Sequence, residues 1–417
     1  MANFDTGSTG FMLLATSLVM LMTPGLAFFY GGLAGKKNIL GIMIQSFVSM
    51  GITTIMWYIC GYSLCFSGDA MGGIIGNLDK AFMHGVDLNT AFTGNGTPLF
   101  SGNKNIPEFV FFAYQMMFAI ITPALITGAF VNRVTFKSYL IFLVVWQVLV
   151  YYPFAHMVWG GGLLAKWGVL DFAGGIVVHA TAGFAALASV IFVGKRRNAD
   201  ATPNSIPLIA IGTGLLWFGW YGFNAGSALD VNAITAQAFI NTDVAASFAT
   251  ITWLIIEWSL VKKPKFVGLL TGAVAGLATI TPAAGFVTLN GAVAIGIASG
   301  LVCYVAVHFK NKMGWDDALD VWGVHGMGGV TGTILLGVFA TKAVNASGAE
   351  GLLTGGTNFF LIQLGAVIGA SIYAFIFTYV MLFIINKITK VRVSDTEEDN
   401  GLDVALHGEK AYDEGAL

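Results

Sequence analysis

Charge is the property this chain has least of. Only 10% of its 417 residues are Asp, Glu, Lys or Arg, against about 25% in ordinary soluble domains, which excludes a water-soluble globular protein. Cysteine is also scarce. Cys60, Cys65 and Cys303 sit in or near apolar runs, and three scattered thiols build no disulfide framework, so they read as small buried hydrophobes. The opening MANFDTGSTG has no basic residue, so the first apolar run reads as a retained span and not a cleaved signal. No nucleophile, acid–base pair and cofactor loop form one constellation, so no enzyme, no cofactor and no nucleic-acid partner is expected. What fills the chain is apolar: 56% of residues are hydrophobic, with 33 Phe and 54 Gly. Glycine at that frequency lets helices approach closely in lipid, where no water-driven collapse is available.

Apolar runs long enough to cross about 30 Å of hydrocarbon lie near 11–33, 40–65, 107–130, 138–160, 171–194, 206–228, 237–260, 267–286, 288–309, 319–340 and 357–386. They predict an all-α polytopic membrane protein with eleven transmembrane helices, because the connectors are too short and the runs too long for a barrel. Of the 20 Lys and Arg, only Lys80, Lys104, Lys166 and Lys342 flank one side, leaving sixteen on the other. That bias puts the basic side in the cytoplasm, with the N-terminus outside and the C-terminus inside a cell membrane. The outer connector at about 66–106 reads as a surface loop, with a pore cover or subunit contact as alternatives. The final run is longer than one crossing needs and is expected to tilt or protrude. Residues 393–417 carry eight Asp or Glu and read as a solvated tail or a docking segment.

Two spans share a pattern. Asp171 precedes His179 by eight residues and Asp317 precedes His325 by eight, with Gly183 and Gly329 four residues further on. The pairs lie five spans apart and therefore run in opposite directions, which predicts inverted five-helix repeats at about 11–194 and 206–340. Eight helical residues advance roughly 12 Å, carrying both imidazoles toward the midplane from opposite sides. A mid-membrane histidine is costly in lipid, so both should face a protein interior or pore. Two unrelated packed histidines remain an alternative; a metal site is weaker, for want of a third ligand at that depth. Asp171 either caps its own helix or attracts cations at the mouth, Asp317 is expected to repeat the cap, and Asp320, one turn deeper, is the expected internal hydrogen-bonding partner.

Toward the outer side lie Trp159, Phe118 within Tyr114-Gln-Met-Met-Phe118, and Phe223 and Ser227 within Trp220-Tyr-Gly-Phe-Asn-Ala-Gly-Ser227. Each alone is an ordinary interfacial anchor or packing residue. Together, rings and a hydroxyl suit a small, singly charged, hydrogen-bond-donating cation. Neither a carbonyl-ring filter nor a buried carboxylate cluster for potassium or protons is evident.

At these residues the chain resembles the ammonium transporter (Amt/Mep/Rh) family, prokaryotic type. The resemblance rests on Asp171-Phe-Ala-Gly-Gly through His179, on residues 217–227, on Asp-Val-Trp-Gly-Val-His-Gly at 320–326, and runs from Pro24-Gly25 to Gly401-Leu-Asp and His407-Gly-Glu. It implies a membrane domain over 1–389, a homotrimer with one pore per subunit, and transport of ammonium or ammonia. It further implies recruitment at Trp159, Ser227 and Phe118, a gate of Phe118 and Phe223, a conduit lined by His179 and His325, and a structural Asp171 near the entrance. Tyr114 stands where the family more often has Phe. The tail, 390–417, resembles the cytoplasmic segment that couples subunits and answers a PII-type signalling protein. The competing readings are an ammonium sensor and a neutral ammonia or gas channel.

Overall fold

The computed structural model describes residues 4–94, 105–198 and 202–412. Part of the 66–106 connector, including Lys104, and the last five residues of the tail lie outside the described residues. Among the described residues nine helices are long and apolar enough to cross a membrane. They include α1 (Thr6–Leu33), α2 (Ile39–Phe66), α3 (Glu108–Ala129), α5 (Gly175–Val193), α6 (Ile206–Ala228), α7 (Ala233–Val261), α9 (Leu289–Met313) and α11 (Thr357–Ile388). The ninth, α4, runs through Phe136–Trp146, a π-turn at Gln147–Tyr151, and Tyr152–Trp159. Two shorter helices, α8 (Phe266–Ile280) and α10, complete the eleven, α10 being a π-turn at Trp322–Gly326 that continues as Met327–Phe339. The eighth run, expected to reach 286, stops as a helix at Ile280, where Pro282 has no N–H to continue the ladder.

Small residues set the helix spacing. α1 lies along α6, and a Cβ on Gly32 or Gly212 would come within 2.7 Å or 2.3 Å of the other helix's backbone nitrogen. Such closeness gains dispersion contacts that lipid cannot match. α11 has 32 residues, roughly 48 Å at 1.5 Å per residue, and packs against α5 and α10. Its Gln363 side chain spans the Leu170 backbone, accepting from the N–H at 2.9 Å and donating to the carbonyl at 2.7 Å. Large apolar side chains such as Leu14, Ile55, Ile255, Ile376 and Phe383 are exposed on the outer faces, as expected where the surrounding solvent is hydrocarbon.

On the face that carries the N-terminus, the connector after α2 forms a two-residue hairpin, β1 (Asp69–Ala70) with β2 (Ile75–Gly76). On the opposite face the acidic tail is docked, the second of its two expected forms. It folds as α12 (Asp395–Asn400) and α13 (Leu402–His407), with Ser394 and Glu397 making a capping box at the first. Asp403 is buried and accepts from the N–H groups of Ile39 at 3.0 Å and Gly41 at 2.7 Å, supplying the cap that Asn38 does not. Arg197 pairs with Asp395 and Asp399, and Arg392 with Glu398 and the Val193 and Lys195 carbonyls. The tail therefore grips the α1–α2 and α5–α6 connectors of the helical body.

Candidate functional site

The lead-in to α5 is built around one carboxylate. Asp171, 1% exposed, accepts at Oδ1 from Gly174 and Gly175 and at Oδ2 from Ile176 and Val177, at 2.7–3.1 Å. Four N–H groups that a helix start leaves orphaned thus find one acceptor. Gly174 takes φ +119, a left-handed conformation that an L side chain rarely adopts, so the turn requires glycine. The Asp171 carbonyl in turn accepts the Trp159 indole N–H at 2.9 Å. Of the two expectations for Asp171, the structure holds the cap; both oxygens are occupied by backbone.

The aromatic residues around Trp159 form one contiguous set. Phe118 meets Trp159 edge-on, centroids 5.8 Å apart, and lies 4.3 Å from Phe223. Ser227 donates to the Phe223 carbonyl at 2.9 Å, and its oxygen is 3.3 Å from the Tyr114 hydroxyl. Tyr114, whose ring is 5.0 Å from Phe118, also reaches the Gly222 and Phe223 carbonyls at 2.9 and 2.8 Å. Its phenol oxygen ties α3 to Ser227 and to the carbonyls one turn earlier on α6, an organising role that a Phe there would not fill.

Behind Phe223 come the histidines. The His179 ring stacks 6.1 Å from Phe223, 5.5 Å from Trp220 and 5.3 Å from His325. His179 and His325 face each other Nδ1 to Nδ1 at 3.3 Å, a contact that holds one hydrogen when both rings are neutral. The buried Nε2 of His179 has no hydrogen-bond partner among the described residues. Trp220 is fixed by an indole bond to Thr281 at 2.9 Å. Apolar side chains, among them Leu26, Ile121, Val178, Leu216 and Val274, line the cavity around the pair. Phe29, Val274 and His325 line both this narrow space and a wider vestibule of about 270 Å3 on the tail face.

The glycines beyond each histidine explain how two helices bring the rings together. A Cβ on Gly183 would lie 2.1 Å from the Cα of Gly326, and one on Gly329 would lie 2.5 Å from the Gly175 carbonyl and 2.9 Å from the His179 Cβ. Only hydrogen fits at that crossing. Both helices pass the histidines as π-turns, Gly175–Ala180 and Trp322–Gly326, a geometry that recurs at functional positions.

The vestibule corrects one expectation. Asp317 is the buried carboxylate, accepting from Val321 at 3.1 Å and Trp322 at 2.8 Å as the expected cap. Asp320, expected deeper, sits in the turn before the helix at φ +61; its side chain is 34% exposed and pairs with Lys310 at 2.7 Å. The helix begins only after it, so Asp320 occupies the vestibule instead of the interior. Beside it, Asp316 receives a forked contact from Arg196 at 2.6–3.1 Å and lies 3.5 Å from the buried Arg133. The sequence alone gives no role to Tyr114, Trp220 or this Arg–Asp–Arg group, although Trp220 opens the run that ends at Ser227. Among the described residues no three His, Cys, Asp or Glu converge as metal ligands.

Comparison with known proteins agrees with this geometry along nearly the whole chain. The model of the Ammonium Transporter Family matches residues 10–412. An ammonium transporter of Aquifex aeolicus is 46% identical over 413 residues, 99% of this chain and 94% of the relative. A putative ammonium transporter of Methanothermobacter thermautotrophicus is 45% identical over 411 residues, 98% of each. The crystal structure of Saccharomyces cerevisiae Mep2 superposes with a TM-score of 0.88 at 34% identity, covering 99% of this chain and 93% of that one. With a family match over most of its length and relatives of that identity, this chain belongs to the ammonium transporter family.

Proposed function

We propose that the protein moves ammonium or ammonia across the membrane along the line from Trp159 to the tail-face vestibule. The observation that carries this reading is the Nδ1–Nδ1 histidine pair at the neck of an otherwise apolar cavity. Trp159, Phe118 and the Ser227 hydroxyl recruit the cation, since ring faces attract a small cation and a hydroxyl accepts its hydrogen bonds. Phe118 and Phe223, 4.3 Å apart, close the path as a gate. Beyond them a bare cation is costly in an apolar tube unless its charge is shared or surrendered. The histidine pair offers that exchange, as each ring accepts and donates. Asp171 keeps the entrance in shape through its four backbone bonds.

The charge asymmetry of the connectors supports an outer N-terminal face and a cytoplasmic tail. The matched Asp171 and Asp317 caps and the opposed π-turns support two inverted units, about 11–194 and 206–340, within a membrane domain over 1–389. By family resemblance the protein is a homotrimer, with 390–417 answering a PII-type protein. Deleting residues 393–417 should abolish inhibition by a PII protein while membrane insertion persists; inhibition that survives the deletion would sink that partner.

The central test is current from proteoliposomes after an ammonium jump. Intact protein should give a saturable inward current, and His179→Ala or His325→Ala should reduce it by at least about tenfold, the loss of roughly 1.4 kcal/mol of barrier lowering. Unaltered current in both variants would overturn the histidine route. Internal pH in the same vesicles separates net charge movement from neutral ammonia passage.

A further inference from the structure

We propose that His156 is held as an imidazolium and serves as a positioning residue, clamping the β1–β2 hairpin onto the end of α4 so that Trp159 is presented at the mouth. The proposal rests on the reading of Trp159 as the recruitment residue.

His156 is 1% exposed. Its Nδ1 lies 3.0 Å from the Cys65 carbonyl oxygen and its Nε2 3.0 Å from Asp69 Oδ1 on β1. A backbone carbonyl only accepts, and so does an ionised carboxylate. Asp69 is ionised: the ammonium of Lys166, which also contacts it, and then His156 itself hold its carboxyl below the ordinary range. A neutral ring has one N–H and would bury a lone pair against one of these oxygens, a costly mismatch. Both contacts are hydrogen bonds only when both nitrogens carry hydrogen. The charged or titratable groups around the ring are Asp69 on the hairpin, Lys166 beyond it and Cys65 on α2, whose thiol turns to the Tyr152 carbonyl at 3.9 Å.

The clamp reaches Trp159 through three residues of helix and a tight turn. The His156 carbonyl accepts from Gly160 and Gly162, both at 3.0 Å, and Leu163 donates to the hairpin's Gly73 carbonyl at 2.8 Å. A Cβ on Gly162 would meet the Gly73 oxygen at 2.3 Å and the His156 ring at 2.9 Å. Hairpin, imidazole and turn therefore move as one body. Because both contacts are hydrogen bonds only while each ring nitrogen carries a hydrogen, the clamp requires the proton and is lost when the ring gives it up.

The test uses full-length protein in lipid vesicles, with hydrogen–deuterium exchange of the hairpin amides and methylammonium uptake measured from neutral to alkaline pH. Hairpin protection in the intact protein should fall as pH rises. In Asp69→Asn the amide can donate to a neutral Nε2, so protection should persist across the same range. His156→Gln should lack it throughout, with KM raised about tenfold and the saturating rate retained. Protection that is pH-independent in the intact protein overturns the imidazolium. A loosened hairpin with unchanged KM overturns the positioning role. Trp159→Ala with unchanged KM, alongside the expected exchange pattern, removes the recruitment reading and leaves the imidazolium clamp standing.

Discussion

Replacing Gly183 by alanine is expected to abolish transport, although it adds a single methyl group. That methyl would lie 2.1 Å from the Cα and 2.2 Å from the nitrogen of Gly326, inside backbone that no rotamer change can move. The helices must part by about 1 Å or more to restore ordinary carbon contact. The His179–His325 distance of 3.3 Å would then exceed hydrogen-bonding range. Overpacking of this kind costs about 1–3 kcal/mol in a core, so the variant should still insert while uptake falls to background. Gly214→Ala on α6 is the control, because nothing beyond its own stretch of helix backbone lies within 4 Å of its added Cβ and alanine is the better helix former. Wild-type uptake by Gly183→Ala would show that the close crossing does not set the histidine pair.

Asp171→Asn should be nearly as damaging, though it changes one atom type and almost no volume. Each carboxylate oxygen accepts from two N–H groups. An asparagine keeps one such oxygen and turns an NH2 against the other two donors, burying donor against donor. Losing charged hydrogen bonds and leaving N–H groups unsatisfied costs roughly 2–4 kcal/mol. The damage should spread beyond α5, since the Asp171 carbonyl holds the Trp159 indole. Thermal unfolding in detergent should drop by several degrees, with uptake lost at low and high ammonium alike. A variant of ordinary stability that merely needs more ammonium would instead indicate a cation-attracting carboxylate.

The eleven helices were legible because hydrocarbon demands long apolar runs, and the histidine pair because a repeated Asp-to-His spacing survives in one dimension. The glycines four residues beyond were visible as small, but their meaning depends on a backbone contact between residues 183 and 326 that no local pattern encodes. Asp320 was misplaced because a periodicity reading starts the helix at the first carboxylate, whereas the chain keeps a turn through residue 320. The π-turns at Gln147–Tyr151, Gly175–Ala180 and Trp322–Gly326 carry no composition signature. Tyr114 and Trp220 have no role legible in the sequence, because the partners of their polar ends, the Gly222 and Phe223 carbonyls and Thr281, are set by the fold. His156 was silent for the same reason: Asp69 is 87 positions away along the chain.

The facing nitrogens of His179 and His325 also imply a polarity that each passage reverses. With both rings neutral, one Nδ1 carries the shared hydrogen and the other accepts it, so their tautomers are opposed. A proton taken up at the outer Nε2 and handed across would leave from the far Nε2, and each ring would finish in the tautomer its neighbour had before. A second proton from the same side then finds the outer nitrogen already occupied. On the proposed route the pair would act as a turnstile that must be wound back between transits, and the rewinding step would set a ceiling on turnover that widening the pore would not lift.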